Sequence, residues 1–120
     1  MNIISLLLIA FIALLHIYIL WMEMFAWTTV GKKTFKGYAA EYFEKTKVLA
    51  ANQGLYNGFL AAGLIWSLMI NDVFWARNVA LFFLGCVSLA GLYGGYSSSK
   101  RIIFVQTIPA VIAIITICFL

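Results

Sequence analysis

Apolar positions fill this chain in long blocks, and polar residues appear mainly as short punctuation between them. From Ile3 to Thr28 the sequence is an almost unbroken run of Leu, Ile, Ala, Phe, Met and Trp. That exceeds the roughly 20 apolar residues needed to cross a bilayer as a helix. Further blocks cover about 48–70, 75–96 and 102–120, separated by Asn71-Asp72 and by Ser97-Ser98-Ser99-Lys100-Arg101. The pattern predicts an all-α protein: an integral membrane, up-and-down bundle of four transmembrane helices, forming a single transmembrane domain over residues 1–120. A lipid bilayer is then its first partner.

The longest polar interval, Thr29 to Lys47, has a pattern of its own. Phe35, Tyr38, Ala39, Tyr42 and Phe43 recur at helical spacing, while Lys36, Glu41 and Lys45 fall elsewhere on the wheel. This predicts a short amphipathic helix at about 33–46, lying in the membrane interface.

Charge then fixes an orientation. Eight Lys and Arg stand against four Asp and Glu. With four spans, seven of the basic residues fall in the first and third connections, and Arg77 alone lies near the second. By the positive-inside rule those two connections are cytoplasmic and both termini face outward. A cleaved signal peptide is not expected, because Met1-Asn2 offers no basic start and the apolar run is too long. Charged residues make up only 10% of the chain, against about 25% in soluble domains. The basic excess is therefore a topology signal. It is not a nucleic-acid footprint, and no nucleic-acid partner is expected.

Against this background the polar residues inside the blocks become informative. An ionisable group at such depth is expensive, by about 2.5 kcal/mol or more, and is a functional-site hypothesis by default. His16 and Glu23 both lie in the first block, seven residues apart and so on one helical face. The second block opens with Asn52, Gln53, Tyr56 and Asn57 on a common face. Beside it runs a stripe of Ala50, Gly54, Gly58 and Ala62 at four-residue spacing, which lets helix backbones approach closely. Counting in from the helix ends brings Glu23 to the same depth as Asn52 and Gln53. Trp27 follows one turn below, Tyr93 and Gln106 belong to the same half of the third and fourth helices, and His16 would form the floor. These nine residues are the candidate ligand-binding set.

The simplest reading is a hydrogen-bonded polar core that holds the helices in register. The pattern points further, to a small or lipophilic ligand bound in an intramembrane polar pocket open to the cytoplasmic side. Two alternatives are a proton-coupled small-molecule transporter acting as an oligomer, and an intramembrane isomerase with Glu23 and His16 as acid and base. A homo-oligomer would form through Gly54 and Gly58 or through Gly91 and Gly95. Pro109 removes a backbone donor in the fourth helix and frees a carbonyl near Val105. Cys86 and Cys118 have no metal-ligand spacing, and with one histidine in the chain no metal or cofactor is expected.

His16, the Glu23-Met24-Phe25-x-Trp27 segment, Gly31-Lys32-Lys33 and above all Asn52-Gln53-Gly54-Leu55-Tyr56-Asn57-Gly58-Phe59-Leu60-Ala61 resemble the domain of unknown function 1304 family. The resemblance covers nearly the whole chain. It implies a small bacterial four-helix protein of the plasma (cytoplasmic) membrane, multi-pass. It carries no agreed activity and assigns no catalytic residue.

Overall fold

A computed structural model describes all residues, 1–120. The chain is all-α, without strands: α1 (Ile3–Phe25), α2 (Lys32–Thr34), α3 (Ala40–Lys45), α4 (Lys47–Met69), α5 (Val73–Ser97) and α6 (Ile108–Phe119). Two π-helical turns, Trp27–Gly31 and Ile103–Thr107, interrupt the α-helical register.

Helix α1 stops three residues short of Thr28. The Gly31 N–H reaches the Ala26 carbonyl at 2.9 Å, an i→i+5 bond that widens the turn. The interval after it is not one amphipathic helix. Gly37 sits at φ 99°, a left-handed conformation that breaks the segment into α2 and α3. The expected fourth span likewise begins with a widened turn. Pro109 in the first turn of α6 has no N–H and would crowd the carbonyl four residues back, and the π register places Ile103–Thr107 ahead of it instead. Asp72 caps α5, accepting from the Trp75 N–H at 3.0 Å.

The chain divides into two compact units. The first holds Met1–Leu14 and Leu60–Leu120. Its core is Ile9, Ile12, Ala13, Leu64, Ala80, Leu84, Val87, Ala110, Ala113 and Ile117. Small residues allow its helices to meet closely: a Cβ on Gly91 would lie 2.9 Å from the Thr107 nitrogen and 3.0 Å from Gln106 Cβ. The Thr107 hydroxyl donates to the Ser88 carbonyl at 3.0 Å across that contact. At one end, Asn2 Nδ2 donates to the Thr116 carbonyl at 3.0 Å, the Ser5 hydroxyl meets Thr116 Oγ1 at 2.8 Å, and Arg77 Nη2 donates to the Ile117 carbonyl at 3.3 Å. Both chain termini and the start of α5 therefore share one end of this unit.

The second unit is Leu15–Phe59. The latter part of α1 packs on the first part of α4 through the small-residue stripe. An added Cβ on Gly54 would stand 3.0 Å from Glu23 Cβ and 3.1 Å from the Leu20 carbonyl oxygen, and one on Gly58 would stand 2.5 Å from Leu20 Cδ1. Below this contact the aromatic residues gather inward. Phe43 is fully buried, with Trp27 at 5.2 Å between ring centroids, and Trp27 also meets Phe35 at 5.7 Å.

Large apolar side chains remain outside in number. Leu7, Phe11 and Leu14 on α1, Phe59 and Trp66 on α4, Phe82 and Leu89 on α5, and Ile112 and Phe119 on α6 are all exposed. Helices α1 and α5 are long and apolar enough to cross a membrane. Helix α4 is as long as α1, at 23 residues each, but carries Lys47, Asn52, Gln53 and Asn57. The apolar stretch Ile103–Phe119 is shorter.

Candidate functional site

The second unit holds the feature that stands out chemically. Glu23 is the one formally charged side chain within Leu15–Phe25 and Val48–Phe59, the two helical stretches that face each other there. The glycines of α4 bring the backbones close enough for a short side chain to bridge them. Asn57 Nδ2 donates to Glu23 Oε1 at 2.7 Å, the short end of the N–H···O range. The same nitrogen donates to the Gln53 carbonyl at 3.1 Å, one turn back on α4. Both partners are acceptors, so the nitrogen of the amide, and not its oxygen, faces Glu23. The pair is locked from two directions.

A carboxylate has about four acceptor positions. Within the chain Glu23 uses one, on Asn57, and the residue is half-buried. Chemically, the arrangement presents a carboxyl group held by Asn57 with acceptor capacity to spare. It suits a donor-bearing or cationic group attached to an apolar body.

The other expected members take different positions. Of the four polar residues on α4, only Asn57 reaches Glu23. Asn52, Gln53 and Tyr56 are exposed. The cause is the pair Gly54 and Gly58, which occupies the surface facing α1 and turns the polar face aside, so that only its edge meets the carboxyl group. His16 is fully buried. It stands two turns, about 10.5 Å of helix rise, from Glu23 and does not line an open surface. Trp27 lies beyond the end of α1, at the start of the first π-helical turn. Its Nε1 donates to Thr46 Oγ1 at 3.0 Å, and its ring covers Gly31, whose added Cβ would stand 2.8 Å from Trp27 Cε3.

Tyr93 and Gln106 belong to the first unit. Tyr93 is exposed, and Gln106 sits half-buried in the second π turn, against Gly91. The glycine stripes are filled inside the chain, Gly54 and Gly58 by α1, Gly91 and Gly95 by Gln106, Thr107 and Ile103. Thr46 escaped sequence reasoning. Its hydroxyl accepts from Trp27 while donating to the Tyr42 carbonyl at 2.7 Å, and a threonine just ahead of a helix gives no spacing signal for a tryptophan 19 residues earlier. The first unit also carries a shallow apolar cleft of about 340 Å³, lined by Trp66, Trp75, Asn78, Val79, Phe82 and Phe83.

Comparison with known proteins adds kinship without an activity. Residues 10–118 match the family described as protein of unknown function (DUF1304). The uncharacterized protein YpaA of Lactococcus lactis subsp. lactis (strain IL1403) is 31% identical over 121 residues, covering 99% of this chain and 100% of its own length. No solved structure matches. The chain, with its Asn52–Ala61 segment and its carboxyl group held by Asn57, belongs to the DUF1304 family.

Proposed function

We propose that this is a four-span protein of the bacterial plasma membrane that binds a small, partly apolar ligand through Glu23 and Asn57, entered from the cytoplasmic leaflet. The four spans are α1, α4, α5 and the segment from Ile103 through α6. Several observations support the membrane placement. Only 28% of the apolar stretch in α1, and likewise in α5, is buried, whereas the core helix of a soluble domain would be mostly covered. The exposed surface of all four segments is rich in Leu, Ile and Phe, a surface suited to lipid. Trp66 and Trp75 flank the α4–α5 turn, as aromatic residues do at a membrane interface. The shared end of both termini and the α5 start agrees with an even number of crossings. The basic first and third connections then face the cytoplasm.

The observation that carries the binding role is the 2.7 Å bond from Asn57 to Glu23. It fixes a carboxyl group at a set position, with acceptor sites free, where lipid tails offer nothing to pair with. A register-holding contact alone would be satisfied by Ser or Thr, as the Thr107–Ser88 contact is elsewhere in the chain. Native mass spectrometry of the protein released from mild detergent tests this. The wild type should carry a co-purified small molecule, and Glu23→Gln should remain folded and lose it. A wild type that flies bare, or a Glu23→Gln variant with the same bound mass, would show the carboxyl group to be structural only.

A further inference from the structure

We propose that the Asn52, Gln53 and Tyr56 face of α4 is the contact surface for a second copy of this chain, in a two-fold dimer. The inference rests on the membrane placement above and goes beyond the ligand role.

Asn52 and Gln53 lie five and six residues into α4 from Lys47, about 7.5 and 9 Å of helix rise past a basic residue that belongs at the membrane surface. Both side chains are exposed, and neither makes a hydrogen bond inside the chain, where Gln53 contributes only its main-chain carbonyl to Asn57. Each carboxamide carries two donor hydrogens and an acceptor oxygen. Hydrocarbon offers no water to meet them, and polar groups at that depth face protein.

The more usual seam between membrane helices, a row of small residues, is already taken on α4. Gly54 and Gly58 lie against Leu20, Glu23 and Met24 of the same chain. What remains outward is a face without formal charge and rich in amides. A carboxamide is its own complement, donor to acceptor and acceptor to donor. Two copies of the same helix face, crossing about a two-fold axis, can therefore satisfy each other with no other partner chemistry, as an isologous contact requires. Tyr56, 63% exposed and edge-on to Phe59 at 5.8 Å, extends the face by one turn with a flat ring and a hydroxyl. A partner of opposite charge has no counterpart here, and a purely apolar partner would leave the amides unmet.

Oxidative cross-linking in native membranes tests the pairing, in a Cys86→Ala/Cys118→Ala background. Asn52→Cys and Gln53→Cys should each give a species of twice the 13.4 kDa chain mass. Leu14→Cys and Leu89→Cys, at exposed apolar positions on α1 and α5, should give none. Independently, the otherwise unaltered protein in dodecylmaltoside should have the mass of two chains by light scattering, and Asn52→Leu/Gln53→Leu should have the mass of one. Cross-links of equal yield at the control positions, or a double leucine variant that stays paired, overturn the proposal. Alkaline carbonate separates the two levels of the argument. A wild type retained in membranes but monomeric refutes the pairing alone, and a wild type released by carbonate refutes the membrane placement and the pairing with it.

Discussion

Replacing Gly54 by alanine should destabilise the protein, although alanine is the better helix former. The structure sets the terms. A Cβ at this position would stand 2.8 Å from Met24 Cγ, 3.0 Å from Glu23 Cβ and 3.1 Å from the Leu20 carbonyl oxygen. Met24 can rotate away, but Glu23 Cβ and the Leu20 backbone are fixed to α1, so the helices must separate. Overpacking of this kind costs about 1–3 kcal/mol. Glycine-to-alanine in a helix interior returns about 1 kcal/mol. The net expectation is a loss of about 1 kcal/mol, and more if the separation stretches the Asn57–Glu23 bond, since such bonds in membranes are worth about 0.6 kcal/mol. Gly85 is the matched control, because nothing lies within 4 Å of its added Cβ. Gly85→Ala should gain stability, leaving a gap of about 2 kcal/mol between the two variants. Reversible unfolding by sodium dodecyl sulfate from dodecylmaltoside micelles, followed by circular dichroism, reads that gap. A Gly54→Ala protein as stable as Gly85→Ala would refute the close approach on which the Glu23 site depends.

Gly37→Ala should cost about 1–2 kcal/mol in the same assay, because φ 99° disfavours a side chain although no atom stands within 4 Å to clash with it. Gly37→Asn should cost less, since asparagine tolerates left-handed conformations. Trp27→Phe keeps the ring contacts with Phe35 and Phe43 but removes the donor to Thr46, for an expected loss of about 0.5–1.5 kcal/mol. Combined with Thr46→Val it should show clear non-additivity, and a strictly additive pair would mean that the bond contributes nothing.

The all-α class could be read from the sequence because long apolar blocks broken by short polar turns are a strong signal. Counting residues inward from the ends of two neighbouring helices set Glu23 level with Asn52 and Gln53, whereas its partner is Asn57, one turn further along α4. The counting failed one turn away for a definable reason. It turned the polar face of α4 toward Glu23 and kept the glycines for packing between copies, whereas Gly54 and Gly58 are the residues that lie against α1. Asn52, Gln53 and Tyr56 were left on the outside. The positions of Trp27 and Thr46 depend on a π-helical turn and on the break at Gly37, and neither leaves a periodic trace. A glycine that needs a positive φ looks in sequence like any other glycine. The resemblance carried by Asn52–Ala61 identified the family correctly, and these same residues include both the site's Asn57 and the outward amides.

In the proposed topology the chain crosses the membrane four times, with its basic connections in the cytoplasm. Labelling with a membrane-impermeant maleimide tests it most directly, using single cysteines at Lys36, Asn71 and Ser98 in the Cys86→Ala/Cys118→Ala background. In intact spheroplasts Asn71→Cys alone should react, and all three should react once the membrane is opened. Reaction of Lys36→Cys or Ser98→Cys in sealed cells, or protection of Asn71→Cys, would contradict the account.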